Sequence, residues 1–447
     1  MFKRKWSGLP VDPHFPSDLK ELGYFINEDD EVRSIENPDF YFKFFLNRNP
    51  RWNDCQRFAM NQALQSEIHA RLSALGLQRV LLPLGTTDGS SPHVPIFASA
   101  DIATKKRVVL IFGETSQDLG VLAHRVIGGR GGVDAGSLVR CARELLSPPP
   151  RSSTPPSSNE NDDATTPPPG IVLANMGELL WWPAGRRTLG RAAFAGAPMA
   201  SAACLGNVVR DGAHRIVPGN RDPREHVKYI FEQVVVALVA PGAGIDIVGL
   251  GDGADAVEEY LDWGPTWARW GPRVNCLAIV GGMRAVENVR CEGFRQFLRE
   301  RARAYVTSLE PAGMTLSGPD GNPRTRTFTR HGCPVFSSGE SQHVECAFIA
   351  GQRVVLDWLN EVALYNTGEY RNPEGLVVLY ADPIGETSEP DWSVWEKEFA
   401  EGKHLEGLDD GEDGEKEGEK KMKGDENKFV VRVDSLSDSE DEAEAMT

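Results

Sequence analysis

The chain has 447 residues, 48 of them Lys or Arg and 65 Asp or Glu, for a formal charge of -17. It is long enough to bury a substantial core and lacks the strongly basic field of an autonomous nucleic-acid binder. The negative charge is concentrated late, with 8 basic against 19 acidic side chains from Glu396 onward. Seven cysteines contain no C-x-x-C pair and no His/Cys ligand spacing, which argues against a zinc module and for a reducing compartment. No apolar run approaches the roughly 18 residues of a membrane span, and the opening MFKRKWSGLP has no apolar core of a secretory signal. The expectation is an intracellular protein, nuclear or cytoplasmic, with no membrane, metal or other cofactor.

Hydrophobic periodicity alternates strand and helix along the chain. An N-terminal region begins with Leu19 to Ile26, and apolar residues at helical spacing (Phe58, Ala59, Leu64, Ile68, Leu72) predict a helix from about Asn53 to Leu75. Two short β runs follow, Val80 to Leu84 and Ile96 to Ala100. Arg107 to Gly113 and Gly170 to Asn175 read as strands buried on both faces. A helix over Ser137 to Leu146 precedes the second of these. Arg224 to Ala240 reads as a helix leading into a strand at Ile245 to Leu250. The order continues with strand Val274 to Val280, helix Glu287 to Arg301, strand Ala304 to Ser308, strand Pro334 to Ser338 and helix Gln352 to Ala363.

This alternation predicts an α/β fold with a doubly wound, mostly parallel sheet. Residues 1–75 form a helical extension packed on a core domain of residues 76–366, and residues 367–400 form a C-terminal extension. A Pro/Ser-rich insertion at 147–170 and an acidic tail at 401–447 are too polar to offset their ordering entropy and are expected to be disordered. Ser435, Ser437 and Ser439 sit among acidic residues in that tail, a pattern suited to an acidophilic kinase and equally to a solubilising tail.

The densest signal is IDIVGLGDGADAVEEYLDWG at 245–264, an apolar strand, a glycine-rich turn and an amphipathic helix. It has the outline of the G-x-S-x-G nucleophile elbow, whose glycines permit a tight strand-to-helix bend around a strained central residue. Here the five positions are Gly249, Leu250, Gly251, Asp252 and Gly253, so the nucleophile position is vacant at Gly251. Asp252 follows the tip, and its carboxylate is expected to point away from the site. The same glycines formally match a dinucleotide fingerprint (Gly249, Gly251, Ala254), but no carboxylate for a ribose follows the next strand.

In a hydrolase of this outline the acid and the histidine follow the nucleophile in chain order. Glu310 stands after the strand ending at Ser308, where the acid belongs, and His343 lies in the GESQHVEC loop, where the base belongs. Oxyanion donors would come from the loop Gly113-Glu114-Thr115-Ser116 and from the N–H of Asp252. Glu310 also reads as a solvated strand-end carboxylate, and His343 as an ordinary hydrogen-bonding histidine. Ser116, Ser337, Ser338 and Ser341 are further hydroxyls without an elbow around them.

Trp263, Trp267 and Trp270 are spaced to share one helical face, for core packing or for a partner. The irregular stretch Gly185 to Asp211, with Arg186, Arg187, Arg191 and Arg210, is placed as a lid and is the best basic patch in the chain.

Several stretches resemble the Arb-two domain family, named for Argonaute-binding protein two of fungi. They are LPVDPHFPSDLKELGYFIN (9–27), PGNRDPREHVKYIF (218–231), IDIVG, WGPRVNC (270–276), LSGPDGNPRTR (316–326) and GCPVFSSGE (332–340), together spanning about residues 9 to 365. The resemblance implies an α/β-hydrolase fold and a place in an Argonaute siRNA chaperone complex, acting in small-RNA loading and heterochromatin silencing. A similar domain follows the catalytic domain of some fungal class II histone deacetylases, and animal relatives are nuclear with a more hydrolase-like elbow. The partners implied are Argonaute or histone and chromatin-silencing subunits; direct RNA binding is not expected, because the chain lacks a strongly basic field. Gly251 departs from an active elbow, so the expectation is a pseudo-hydrolase scaffold. The alternative is an esterase-like hydrolase using His343 and Glu310 with an unconventional nucleophile.

Overall fold

The computed structural model describes residues 11–147, 167–199, 215–325, 330–376, 378 and 380. These belong to the first of two units, Met1–Ile384, the second being Gly385–Thr447. Most of the Pro/Ser-rich insertion, all of the acidic tail, Cys204, Arg210 and Arg326 lie outside the described residues.

A nine-stranded sheet organises the chain. Its strands are β1 (Leu77–Leu82), β2 (Val94–Ser99), β3 (Arg107–Phe112), β4 (Gly170–Ala174), β5 (Gly244–Leu250), β6 (Val274–Val280), β7 (Ala302–Val306), β8 (Thr315–Ser317) and β9 (Val335–Ser337). Their order across the sheet is 1-2-4-3-5-6-7-9-8. β2 runs antiparallel to β1 and β4, and β8 antiparallel to β9, while the remaining pairs are parallel. The expected mostly parallel α/β sheet is therefore present, and its antiparallel strands β2 and β8 make it mixed. Phe112 pairs with Gly249, Val280 with Leu250 and Tyr305, and Ser337 with Val306, so the carboxyl ends of β3, β5, β6, β7 and β9 lie along one edge. Ligand sites of open α/β sheets form at that edge.

Helices cover both faces, which is why the central strands are apolar on both sides. On one face α1 (Pro50–Ala74), α2 (Leu138–Leu146) and α7 (Ala347–Val362) pack on Val109, Ile111, Val248, Leu250, Ala278 and Val280. On the other lie α3, running from Pro223–Tyr229 through a π-helical stretch Ile230–Val235 to Val236–Leu238, then α4 (Asp252–Leu261), α5 (Gly264–Trp270) and α6 (Glu292–Arg301). They bury Phe231, Val257, Leu261, Phe294 and Phe297 against Leu110, Ile245, Ile247, Leu277 and Ile279.

Several boundaries differ from the sequence reading for identifiable reasons. α1 begins earlier because Asn49 caps it, accepting from the Arg51 N–H, and Pro50 suits the first turn. α6 begins only at Glu292, since the Asp262 carboxylate accepts the N–H groups of Arg290 and Cys291 at 2.8 Å each and holds that backbone out of a helix. α7 begins at Ala347 rather than Gln352. The hairpins Tyr24–Ile26 with Val32–Ser34 and Leu180–Trp182 with Arg187–Leu189, and strand β8, were not foreseen, because strands this short leave little period unless an apolar run such as CPVF marks them.

The tryptophan face divides. Trp270 is buried against Phe231, Trp267 packs on Phe294 and Phe297, and Trp263 stands 66% exposed at the start of α5. In the expected lid, Arg187 points inward and binds Gln62, Gln65 and, at 2.9 Å, Glu178. It is an internal tether rather than part of a free basic patch.

Candidate functional site

The corner between β5 and α4 has the geometry its glycines allow. Gly251 sits at φ 52° and ψ -131°, a conformation that L side chains rarely adopt, and its N–H bonds to the Val280 carbonyl at 2.8 Å. Its neighbours are small for a different reason. A β-carbon on Gly249 would lie 2.5 Å from the Ala254 Cα, and one on Gly253 would lie 2.1 Å from the Gly113 carbonyl oxygen. The outer glycines thus let the strand, the helix and the loop after β3 approach closely, whereas Gly251 supplies the bend itself.

The space in front of Gly251 is filled by a side chain from elsewhere. A β-carbon at this position would meet Glu114 at Cγ (2.8 Å), Oε1 (3.0 Å) and Cδ (3.1 Å). Glu114 follows β3 on the loop proposed to carry oxyanion donors. Burial raises its carboxyl above the ordinary range, and the charges of Asp252 and Glu345 add to the shift. A small cavity of about 10 Å³, lined by Glu114, Leu122, Leu250, Val344 and Phe348, adjoins this carboxyl, room for at most one water.

The Glu114 loop is held at both ends. The Asp252 carboxylate turns from the elbow to this loop, accepting the Thr115 N–H at 2.9 Å and the Thr115 hydroxyl. One of the backbone donors expected to face an oxyanion is thereby engaged. Further along, the buried Glu178 carboxylate accepts the Leu119 N–H at 2.9 Å and the Gln65 amide at 2.7 Å.

Of the residues singled out in the sequence, Gly113, Gly251 and Asp252 come together at the elbow. His343 precedes the single turn Val344–Cys346 that leads into α7, and its N–H donates to Glu340 Oε1 at 3.1 Å. Among the described residues no hydrogen bond joins its ring to Glu310 or to a hydroxyl. Glu310 contributes its backbone, with its carbonyl accepting from the Ser337 hydroxyl at 2.6 Å. Ser337 Oγ also accepts the Gly339 N–H, Ser338 Oγ accepts the Glu340 N–H, and Ser116 Oγ donates to Glu114. The hydroxyls of Ser116, Ser337 and Ser338 are thus engaged in loop structure.

Sequence reasoning missed the Glu114 side chain, treating its loop only as a source of backbone donors. It also missed a buried polar group behind the elbow helix. Glu258 on α4 is 1% exposed, burial pushes its carboxyl well above the usual range, and its Oε1 has no hydrogen-bond partner among the described residues. His331 is also buried, and its Nδ1 has no partner among the described residues. Neither has a local motif to announce it. Among the described residues no three His, Cys, Asp or Glu side chains are placed to hold a metal ion, and no helix is long and apolar enough to cross a membrane.

A doubly wound sheet whose central strand enters a helix through a left-handed glycine corner defines an α/β-hydrolase-like protein, here with glycine at the tip of the elbow. Residues 15–312 match the Arb2 domain, and the chain belongs to that family. No curated protein matches the chain.

Proposed function

We propose that this protein is a non-catalytic α/β-hydrolase-like scaffold that works in an Argonaute siRNA chaperone or heterochromatin-silencing assembly. The observation that carries the non-catalytic part is the elbow: Gly251 presents no attacking atom, and Glu114 occupies the volume a nucleophile would need. An acyl-transfer site requires a nucleophile bonded to an oriented base and room for a tetrahedral centre. Gly251 supplies no such nucleophile, and the Glu114 carboxyl lies where a side chain at that position would begin. His343 and Glu310 hold the positions of base and acid by chain order and act as loop residues.

The silencing role is supported by membership of the Arb2 family. Fold alone would not carry it, since α/β sheets host many functions. Argonaute or chromatin-silencing proteins are the proposed partners, in the nucleus, the cytoplasm or both, with RNA held by the partner. Affinity purification of the tagged full-length protein, followed by mass spectrometry, tests this. Recovery of an Argonaute or a chromatin-silencing subunit is expected, and its absence from both nuclear and cytoplasmic extracts overturns the reading.

A further inference from the structure

The carboxyl edge of the sheet carries an uncovered surface of mixed character. Three apolar side chains rise from neighbouring loops there: Met283 after β6 is 70% exposed, Leu309 after β7 is 91% exposed, and Val344 before α7 is 44% exposed. Their strands β6, β7 and β9 are adjacent, so their bases span about 10 Å at ordinary strand spacing. The loops are bonded to one another. The Ser308 N–H donates to the Glu340 carbonyl at 2.7 Å, and Val344 Cγ1 would lie 2.7 Å from a β-carbon on Gly281. A soluble protein exposes single apolar residues commonly, but adjoining ones on fixed loops mark a contact surface.

This apolar strip runs directly into an acidic groove. Asp255 Oδ1 accepts the N–H groups of Met283 and Arg284, so a groove carboxylate holds the loop that bears the first apolar side chain. The groove has a volume of about 470 Å³ and is lined by Asp222, Asp252, Asp255 and Glu259, with Arg224 as its cation. Arg224 is bonded to Glu259 at 2.8 Å and Arg221 lies 3.4 Å from Asp222, which leaves Asp252 and Asp255 without an ion-pair partner among the described residues. Around the strip itself stand Glu310, Glu340 and Glu345, the last paired with Arg125. Both halves of the surface therefore present negative charge.

We propose that this edge docks an extended protein segment in which Arg or Lys side chains accompany aliphatic ones, the aliphatic groups seating on Met283, Leu309 and Val344 and a cationic side chain entering the groove beside α4. The occupant follows from charge complementarity: an acidic rim repels phosphate backbones and acidic peptides and steers basic segments. The inference rests on the scaffold reading above and assigns it a binding surface.

The test uses the full-length chain and fluorescence anisotropy with three labelled synthetic peptides: alternating arginine and leucine, alternating glutamate and leucine, and alternating arginine and glycine. The arginine–leucine peptide is expected to bind, the glutamate–leucine peptide to fail, and the arginine–glycine peptide to bind more weakly. Leu309→Asp and Met283→Asp each weaken binding by about tenfold or more, as loss of a contact anchor does. Glu259→Arg does the same, and Phe45→Asp, on an exposed aromatic stretch before α1, leaves binding unchanged. Binding that survives both Leu309→Asp and Met283→Asp, or that is lost in Phe45→Asp, overturns the proposal. So does tighter binding of a single-stranded RNA probe at the same salt. Recovery of a silencing partner by Leu309→Asp at wild-type yield overturns the surface and leaves the scaffold function standing. Peptide binding without any such partner does the reverse.

Discussion

Glu114 stands over Gly251: the carboxyl of a residue that follows β3 covers the open side of the glycine that follows β5, with Oε1 3.0 Å from where a β-carbon would be. The two positions are mutually dependent. A side chain at 251 would displace the glutamate, and a glutamate in this place is tolerated because 251 has none. The Glu114 carboxyl also faces the charges of Asp252 and Glu345, an acidic arrangement hostile to the oxyanion that an acyl-transfer site must stabilise.

Restoring the missing hydroxyl is therefore not expected to restore chemistry. Gly251→Ser places an L residue at φ 52° and costs about 1–3 kcal/mol in backbone strain. Denaturant unfolding should register that loss, and short-chain ester probes should show no turnover above background. Turnover that disappears again in Gly251→Ser/His343→Ala would mean the base still works.

Gly249 answers to packing rather than to chemistry. Gly249→Ala brings a methyl group to 2.5 Å from the Ala254 Cα, a backbone contact that cannot rotate away, and overpacking of this kind costs about 1–3 kcal/mol. Its thermal midpoint should fall without change in the exposed surface, and an unaltered midpoint would refute the close strand–helix approach.

The lower end of β5 carries a buried ion pair. Asp246 is fully buried, binds Arg107 of β3 and accepts from the Asn275 amide at 2.8 Å. Asp246→Ala strands the largely buried Arg107 guanidinium, and breaking such a pair from one side costs about 3–5 kcal/mol. Urea unfolding of the single variants and of Asp246→Ala/Arg107→Met should show the double change to be milder than Asp246→Ala.

Glu258 gives a pH signature. Its folded carboxyl titrates well above the ordinary value of 4.5, with burial as the main cause, so between these values the folded state holds a proton that the unfolded state has released. Stability from this group is complete below 4.5 and declines as pH rises through the window. Glu258→Gln keeps the shape and removes the titration. Melting curves from pH 5 to 8 should fall less steeply for the variant than for wild type. Parallel curves would show that the group is ionised and paired in the folded protein.

The elements that were legible beforehand are those with a strong local pattern. RVVLIF at 107–112 and VNCLAIV at 274–280 are unbroken apolar runs and became central strands close to the bounds they suggest. The strand–glycine–helix corner was likewise readable, because a bend that tight restricts which residues can occupy it. Trp270 is a core residue and Trp267 packs half-buried against the core, but spacing alone could not reveal that Trp263 lies on the cap and faces outward. Nor could it separate the Glu287 turn from α6, since the cause is the Asp262 carboxylate more than twenty residues earlier.

The amino-acid order by itself determined the alternation of strands and helices, the family, and the absence of an attacking atom at 251, because each depends on neighbours along the backbone. The tertiary structure decided what fills that absence. Glu114 reaches Gly251, Asp252 turns to Thr115, and Met283, Leu309 and Val344 rise together, because sheet pairing aligns strand ends that are far apart in the chain. Contacts of that kind arise from register and layer packing, which no local periodicity encodes.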